Sequence, residues 1–248
     1  MIWAECEGDK QVTRLEGTLY RLVESQEQIA TLAYVDTLDE QALLEEMLES
    51  SKPSYKEDLS DYHYLLSTPF RYPPLKWGSR FGAVHEPSLF YGGINIEVTL
   101  AESAYYRLVF WNSMTSTPIK KQIKSEHSLF SVDYQSQKGI RLQNSPFNKY
   151  QAEITHPSQY IYSQQLGSAM RTSAIEVFEY PSARDPQKGI CVGLFVVHGL
   201  KQKRPTDMTH WLCETNANEV LFKQLDSSTI IRFKLETFLT NGKLPIPA

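Results

Sequence analysis

The stretch Ser79–Phe110, reading SRFGAVHEPSLFYGGINIEVTLAESAYYRLVF, constrains the fold most because its hydrophobic period changes part-way along. Ser88–Tyr91 is a short apolar run that stops at Gly92-Gly93, which reads as a strand meeting a break. From Asn95 the period becomes helical. Val98, Glu102, Tyr105 and Val109 recur at steps of four, three and four, so they share one face. Arg80 lies just upstream in a glycine-containing turn. Turn, strand and helix thus follow without interruption and supply a cation (Arg80), an aromatic face (Tyr91) and a carboxylate (Glu102). A glutamate inside an apolar stripe is costly to bury unless something pairs with it or uses it. The plainer readings are a surface arginine, an ordinary strand tyrosine and a glutamate at the stripe's edge with its head in water.

The rest of the chain supplies mixed elements. Gly17–Glu24 reads as a strand. Its Arg21 is either an edge-strand arginine, which the pattern alone favours, or a cation aimed into a cleft. Thr37-Leu38-Asp39-Glu40 has the form of a capping box opening a helix over Leu38–Leu48, whose apolar side is expected to pack. In Ser51–Pro74, Pro53, Pro69, Pro73 and Pro74 argue against a continuous regular element. Tyr55, Tyr62, Tyr64, Phe70 and Tyr72, with Trp77 beyond, argue for an ordered segment over the mouth of a site or over a partner surface. Leu129–Tyr134 reads as a strand and Gln137–Tyr150 as a polar loop. Pro157–Ser173 reads as a helix with Pro157 in its first turn. Ala174–Tyr180 alternates as a strand, Gly189–Val197 is a nearly unbroken apolar run and reads as a central strand, and Ser227–Leu235 reads as a further strand. Gly242–Ala248 reads as a frayed end. Strands and helices without a regular βαβ alternation predict an α+β fold in one domain.

Composition excludes several classes. A formal charge of −4 over 248 residues argues against a large nucleic-acid footprint. The dense basic run Lys120–Lys124 reads as a solvated segment. Cys6, Cys191 and Cys213 are too few and too irregular for a disulfide framework or a zinc site, and Cys191 reads as a small buried hydrophobe. No two histidines have metal spacing, so no metal is expected. No secretory leader and no membrane-length apolar stretch is visible, which points to a cytoplasmic setting. Phosphate-loop and dinucleotide glycine fingerprints are missing. Ser182 lies in the turn-rich loop Pro181–Pro186 but not in a nucleophile elbow. It is either a turn-stabilising hydroxyl, the plainer reading, or a contact to an anion or a ribose.

Arginine, tyrosine, glutamate and serine remain, and this set suits cleavage of a ribose–nicotinamide bond. That reaction passes through an oxocarbenium-like state, which a nearby carboxylate stabilises. Arginine grips a pyrophosphate with a planar fork, and an aromatic ring stacks on nicotinamide. The leaving group of NAD is already cationic, so no strong general acid is needed.

These residues carry a resemblance to the RES domain family. The matching pieces are Ser79-Arg80-Phe81-Gly82, Leu89-Phe90-Tyr91-Gly92, Leu100-Ala101-Glu102, and Tyr180-Pro181-Ser182-Ala183-Arg184 leading into Gly189–Phe195. Gln164-Gln165-Leu166-Gly167 and Gly17-Thr18-Leu19-Tyr20-Arg21 also resemble family segments. The resemblance implies an ADP-ribosyltransferase-like mixed β core with flanking helices, and an NAD-degrading activity by hydrolysis or phosphorolysis. NAD is then substrate rather than cofactor, and inorganic phosphate a candidate co-substrate. It further implies a toxin of a type II toxin–antitoxin pair with an Xre-family antitoxin; a homodimer is a candidate assembly. Carried over, Arg80, Glu102 and Ser182 are catalytic, and Arg21 and Tyr91 bind the dinucleotide. The chain departs from short family members by an elaboration over about residues 1–75 and by Pro118–Tyr150. Two alternatives stand beside this reading: mono-ADP-ribosylation of a protein, and an inactive module that only binds NAD.

Overall fold

The computed structural model describes residues 1–25, 34–54, 59–116 and 118–247. Tyr55 and Ala248, which figure in the expectations above, lie outside the described residues. The helices are α1 (Ile2–Glu5), α2 (Leu38–Ser50), α3 (Tyr64–Arg71), α4 (Ile96–Ser113), α5 (Gln151–Ile154) and α6 (Ile161–Thr172). The strands are β1 (Thr13–Glu24), β2 (Phe90–Gly93), β3 (Ile123–Arg141), β4 (Val177–Pro181), β5 (Ile190–Leu194), β6 (Asp207–Thr215), β7 (Glu219–Gln224) and β8 (Ile230–Lys234). The α+β architecture read from the sequence is the one observed.

All eight strands form one sheet in the order β1-β2-β5-β4-β3-β6-β7-β8, and β1 also pairs with β3. The first five strands therefore close into a ring, from which β6, β7 and β8 extend. The long strand β3 serves both parts. One of its edges carries β1; the other carries β6 along Ile123–Ser131 and then β4, in parallel, along Gly139–Arg141. All the other pairings are antiparallel. The ring closes between β1 and β2 through one residue pair, Tyr20 with Gly93.

The strands β4 and β5 are covered on both faces; β5 has the near-continuous apolar sequence this favours, whereas β4, read above as alternating, also buries Glu179, which Tyr134, Arg141 and Gln143 hydrogen-bond. Phe178, Tyr180 and Cys191 face a core shared with α6 and α1, whereas Val177, Val192 and Leu194 face a second core filled by α3. A third core lies between α4 and the extension, where Leu100, Tyr105 and Leu108 pack against Trp211, Val220 and Phe222. Burial of each such large side chain contributes roughly 1.5–3 kcal/mol.

Several sequence expectations change here. The capping box forms as read, with Glu40 N–H on Thr37 Oγ1 at 3.1 Å and Thr37 N–H on Glu40 Oε2 at 3.2 Å. Yet α2 buries only Gln41 and leaves Leu38, Leu43 and Met47 exposed, so the expected packing is not found among the described residues. Within Ser51–Pro74 a helix does form, with Pro69 inside it. Pro69 removes the N–H that would donate to the Leu65 carbonyl, and the short helix holds through its buried Leu65, Leu66 and Phe70. The polar stretch from Gln137 continues β3 as far as Arg141, because Gly139 lets Leu15 of β1 approach where a Cβ would lie 2.3 Å from it. Pro157 lies before α6, whose N-cap is Tyr160. The tail is tied down rather than frayed, since Tyr105 donates to the Pro245 carbonyl at 2.5 Å. β6 and β7 have no counterpart in the sequence reading.

Helix α6 fixes the turn that carries Arg80. Gln164 Nε2 donates to the carbonyls of Trp77 (2.9 Å) and Ser79 (3.1 Å). Gly167 lies so close to that turn that a Cβ there would sit 2.0 Å from the Phe81 carbonyl oxygen. Gly78, at φ 73°, lets the chain enter the turn in a left-handed conformation. Gly167→Ala must therefore displace backbone, at a cost of roughly 1–3 kcal/mol. The expected result is a melting temperature several degrees below wild type; an unchanged melting temperature contradicts this packing.

His127 gives a second test. It is buried on β3, and burial, then the neighbouring Arg107 guanidinium, pulls its pKa down to about 4. The unfolded chain binds that proton near pH 6.5 and the folded chain does not, so stability is present above about pH 6.5 and is lost as pH falls toward about 4. In melting curves over that window, His127→Gln should flatten the wild-type decline. An identical decline in both proteins excludes His127 as a source.

Candidate active site

A cavity of about 480 Å³ opens between α4, β1 and the Gly78–Arg80 turn. Helix α4 is capped by Asn95, whose Oδ1 accepts from Val98 N–H at 2.9 Å. From there Thr99, Glu102, Ser103, Tyr106 and Arg107 face the cavity at helical spacing. Val98 and Tyr105 of the apolar stripe are fully buried on either side, which leaves Glu102 at the margin between core and cavity.

The Glu102 carboxylate is held from behind. Ser182 Oγ donates to Glu102 Oε1 at 2.5 Å, and the Cys191 thiol lies 3.8 Å from the same oxygen. Ser182 in turn accepts from the backbone N–H groups of Arg184 (3.0 Å) and Asp185 (2.9 Å). The hydroxyl is therefore saturated: it stabilises its turn, as in the plainer reading, and passes its one proton to the carboxylate. It is buried and does not line the cavity wall. Ser182, carried over above as catalytic, reaches the site only through Glu102. Among the described residues Glu102 has no ion-pair partner within 4.0 Å.

Arg80 lines the cavity while its Nη1 is anchored on the carbonyls of Ile154 (3.2 Å) and His156 (2.8 Å). Its guanidinium lies 4.6 Å from the centre of the Tyr160 ring. Burial pulls its pKa down, but Tyr160, Glu102 and the tyrosines Tyr180 and Tyr106 outweigh this and leave it raised, so the cation persists at every accessible pH. Arg21 is not an edge-strand arginine, since β1 pairs on both sides. Its side chain reaches the cavity, donates to the Tyr91 carbonyl at 2.9 Å and lies 4.9 Å from the Phe90 ring centre. Burial pulls it down to about 10, which still leaves it charged at neutral pH.

Tyr91 presents its ring to the cavity with its hydroxyl tied off, bonded to Ser79 Oγ (2.9 Å) and accepting from Phe81 N–H (3.1 Å). Burial pushes it up to about 12, so it stays neutral. Tyr180 closes the inner end edge-on to Tyr91, with ring centres 6.3 Å apart, and burial pushes it well up. Cys191 also lines this end, and burial keeps its thiol protonated. His85, weighed in the sequence as a neighbour of Arg80, is not among the lining residues.

One functional element escapes sequence reasoning. Arg184 is buried, lies 3.5 Å from the Tyr105 ring centre and donates to the Pro157 carbonyl (2.6 Å) and Tyr160 hydroxyl (3.1 Å). Together with Arg80 it clamps the loop between α5 and α6, so that two separate arginines share Tyr160. In the sequence Arg184 stood out only as the end of the Tyr180–Arg184 segment, two residues after Ser182.

Among the described residues no group of three or more His, Cys, Asp or Glu could hold a metal ion, and no helix is long and apolar enough to cross a membrane. The arrangement instead offers fixed cations and one oriented carboxylate. Such a set stabilises an anionic substrate that develops positive charge.

Comparison with known proteins agrees with this chemistry. No curated protein matches the chain. A family model described as RES domain matches residues 57–216, well over half of the 248 residues, and includes Arg80, Tyr91, Glu102 and Ser182. Arg21 and β1 lie outside the matched span although they form part of the ring and the cavity. With the match come an ADP-ribosyltransferase-like fold and, in general terms, a toxin-type function related to NAD, and the chain belongs to the RES domain family.

Proposed function

We propose that this protein degrades NAD by breaking the bond between nicotinamide and ribose, with water or inorganic phosphate as acceptor. The carrying observation is the Glu102 carboxylate, oriented by Ser182 and unpaired by any cation within ion-pair distance among the described residues, at the wall of a cavity that Arg21 and Arg80 also line.

The geometry supports a role for each residue in this reading. Arg21 and Arg80 receive the pyrophosphate, whose charge suits two guanidiniums that remain protonated when buried. The Tyr91 face, whose hydroxyl is committed elsewhere, packs against the nicotinamide ring. Glu102 faces the anomeric carbon. As the carbon–nitrogen bond breaks, the electron pair leaves with the nicotinamide nitrogen and cancels its charge, while positive charge grows on the ribose beside the carboxylate. Water or phosphate then attacks that carbon; water surrenders a proton to give ADP-ribose, and phosphate gives the 1″-phosphate. Ser182 acts as a positioning residue that fixes the carboxylate's rotamer. In the cell such an activity depletes NAD, which suits a toxin held in check by an Xre-family antitoxin.

Glu102→Gln keeps the hydrogen-bonding shape and removes the charge. NAD turnover should fall at least about a hundredfold, the scale on which a single electrostatic group matters at a transition state. Calorimetry should still detect NAD binding. A Glu102→Gln protein as fast as wild type refutes the proposal. Mass spectrometry of the wild-type products separates free ADP-ribose or its phosphate from a modified protein, the outcome that would instead indicate transfer.

A further inference from the structure

The cavity extends beyond the reacting groups. Glu102 and its neighbours Arg80, Tyr180 and Cys191 mark a buried inner end. The cavity-facing stripe of α4 then runs from Thr99 to Arg107, about 12 Å at 1.5 Å per residue, to an outer end walled by Glu24, Arg107 and His127. The outer end has its own polar construction. Glu24 Oε2 accepts from Arg107 Nη1 at 3.3 Å, Arg107 Nη2 donates to Ser125 Oγ at 3.0 Å, and Ser125 Oγ lies 3.0 Å from His127 Nε2. Arg107 is mostly buried, with a side chain 13% exposed, whereas Glu24 is 62% exposed and reaches toward solvent at the mouth. Nothing in the bond-breaking step uses this group.

Resting on the NAD reading above, we infer that the Glu24–Arg107 pair selects NAD over NADP. With the nicotinamide ribose at Glu102 and the pyrophosphate at Arg21 and Arg80, the second nucleoside is taken to follow the cavity-facing stripe of α4 toward Glu24, the other carboxylate of the lining. A carboxylate accepts hydrogen bonds from the hydroxyls of an unmodified ribose and repels a 2′-phosphate, the same logic by which an acidic residue discriminates the two in other dinucleotide sites. Arg107 would favour the phosphate, but its charge is countered by Glu24. The buried His127 is neutral near pH 7 and adds no positive charge. The specificity therefore comes from which partner Arg107 has, and removing the Glu24 charge turns the same guanidinium into a phosphate receptor.

Initial rates with NAD and NADP on the same preparation test this, because partial misfolding lowers both alike and leaves their ratio unchanged. Wild type should favour NAD by kcat/KM, with the difference lying in KM. Glu24→Gln should shift the ratio toward NADP by about tenfold, the scale of one hydrogen bond to a charged group. Adding Arg107→Gln to that variant should abolish the shift. Calorimetry on Glu102→Gln protein should show NAD binding more tightly than NADP, a reading free of turnover. Wild type consuming both dinucleotides equally, or a Glu24→Gln ratio within about twofold of wild type, overturns the inference while leaving NAD degradation intact. Wild type that neither binds nor consumes NAD overturns the underlying reading and this inference with it.

Discussion

Two guanidiniums, Arg80 and Arg184, lie more than nine-tenths buried on one side of the cavity, and the local structure is arranged around keeping them charged there. A buried cation is tolerated only when oxygen atoms or aromatic faces replace the water it has lost. Here the replacement comes from the carbonyls of Ile154, His156 and Pro157 and from the rings of Tyr160 and Tyr105. The irregular chain between α5 and α6 is thus shaped by the charges it solvates. Because backbone carbonyls rather than carboxylates do this work, the cations are held without being neutralised. The cavity keeps a positive field that an acidic partner would have cancelled.

Glu102 completes the arrangement from the opposite direction. It is anchored by a hydroxyl, not by an arginine, so its charge is also left standing. The serine that anchors it is itself locked by two backbone N–H groups of the next turn. At the inner end of the cavity orientation and neutralisation are separated: Arg80 and Glu102 are positioned by carbonyls and a hydroxyl rather than by opposite charges. This suits a reaction in which opposite charges must act on different parts of one dinucleotide.

Much of this was legible in the sequence wherever neighbouring residues decide the outcome. The helical period that begins at Asn95, the break at Gly92-Gly93 and the apolar run of β5 are local signals, and the structure follows them. What escaped depended on distant partners. Trp211, Cys213 and Thr215 alternate inward on β6, but a cysteine and a threonine make a weak apolar signal until α4 covers them. Gln137–Arg141 is polar because it is held by its ladder with β1 and β4 rather than by burial alone. Pro69 argued for a break that tertiary anchoring overrode. At the site, the pattern around Arg21 could not show that β1 has neighbours on both sides. The reach of Ser182 to Glu102 spans 80 residues of chain, a contact no spacing rule encodes.

A single residue pair joins β1 to β2. Every other join in the ring is a ladder of at least three pairs. The Tyr20–Gly93 contact is a seam that the Arg21 side chain also crosses, donating to the Tyr91 carbonyl and lying over the Phe90 ring. Tyr20, Arg21, Tyr91 and Gly93 all border the cavity. The ring therefore has its fewest backbone links where β1 and β2 border the cavity.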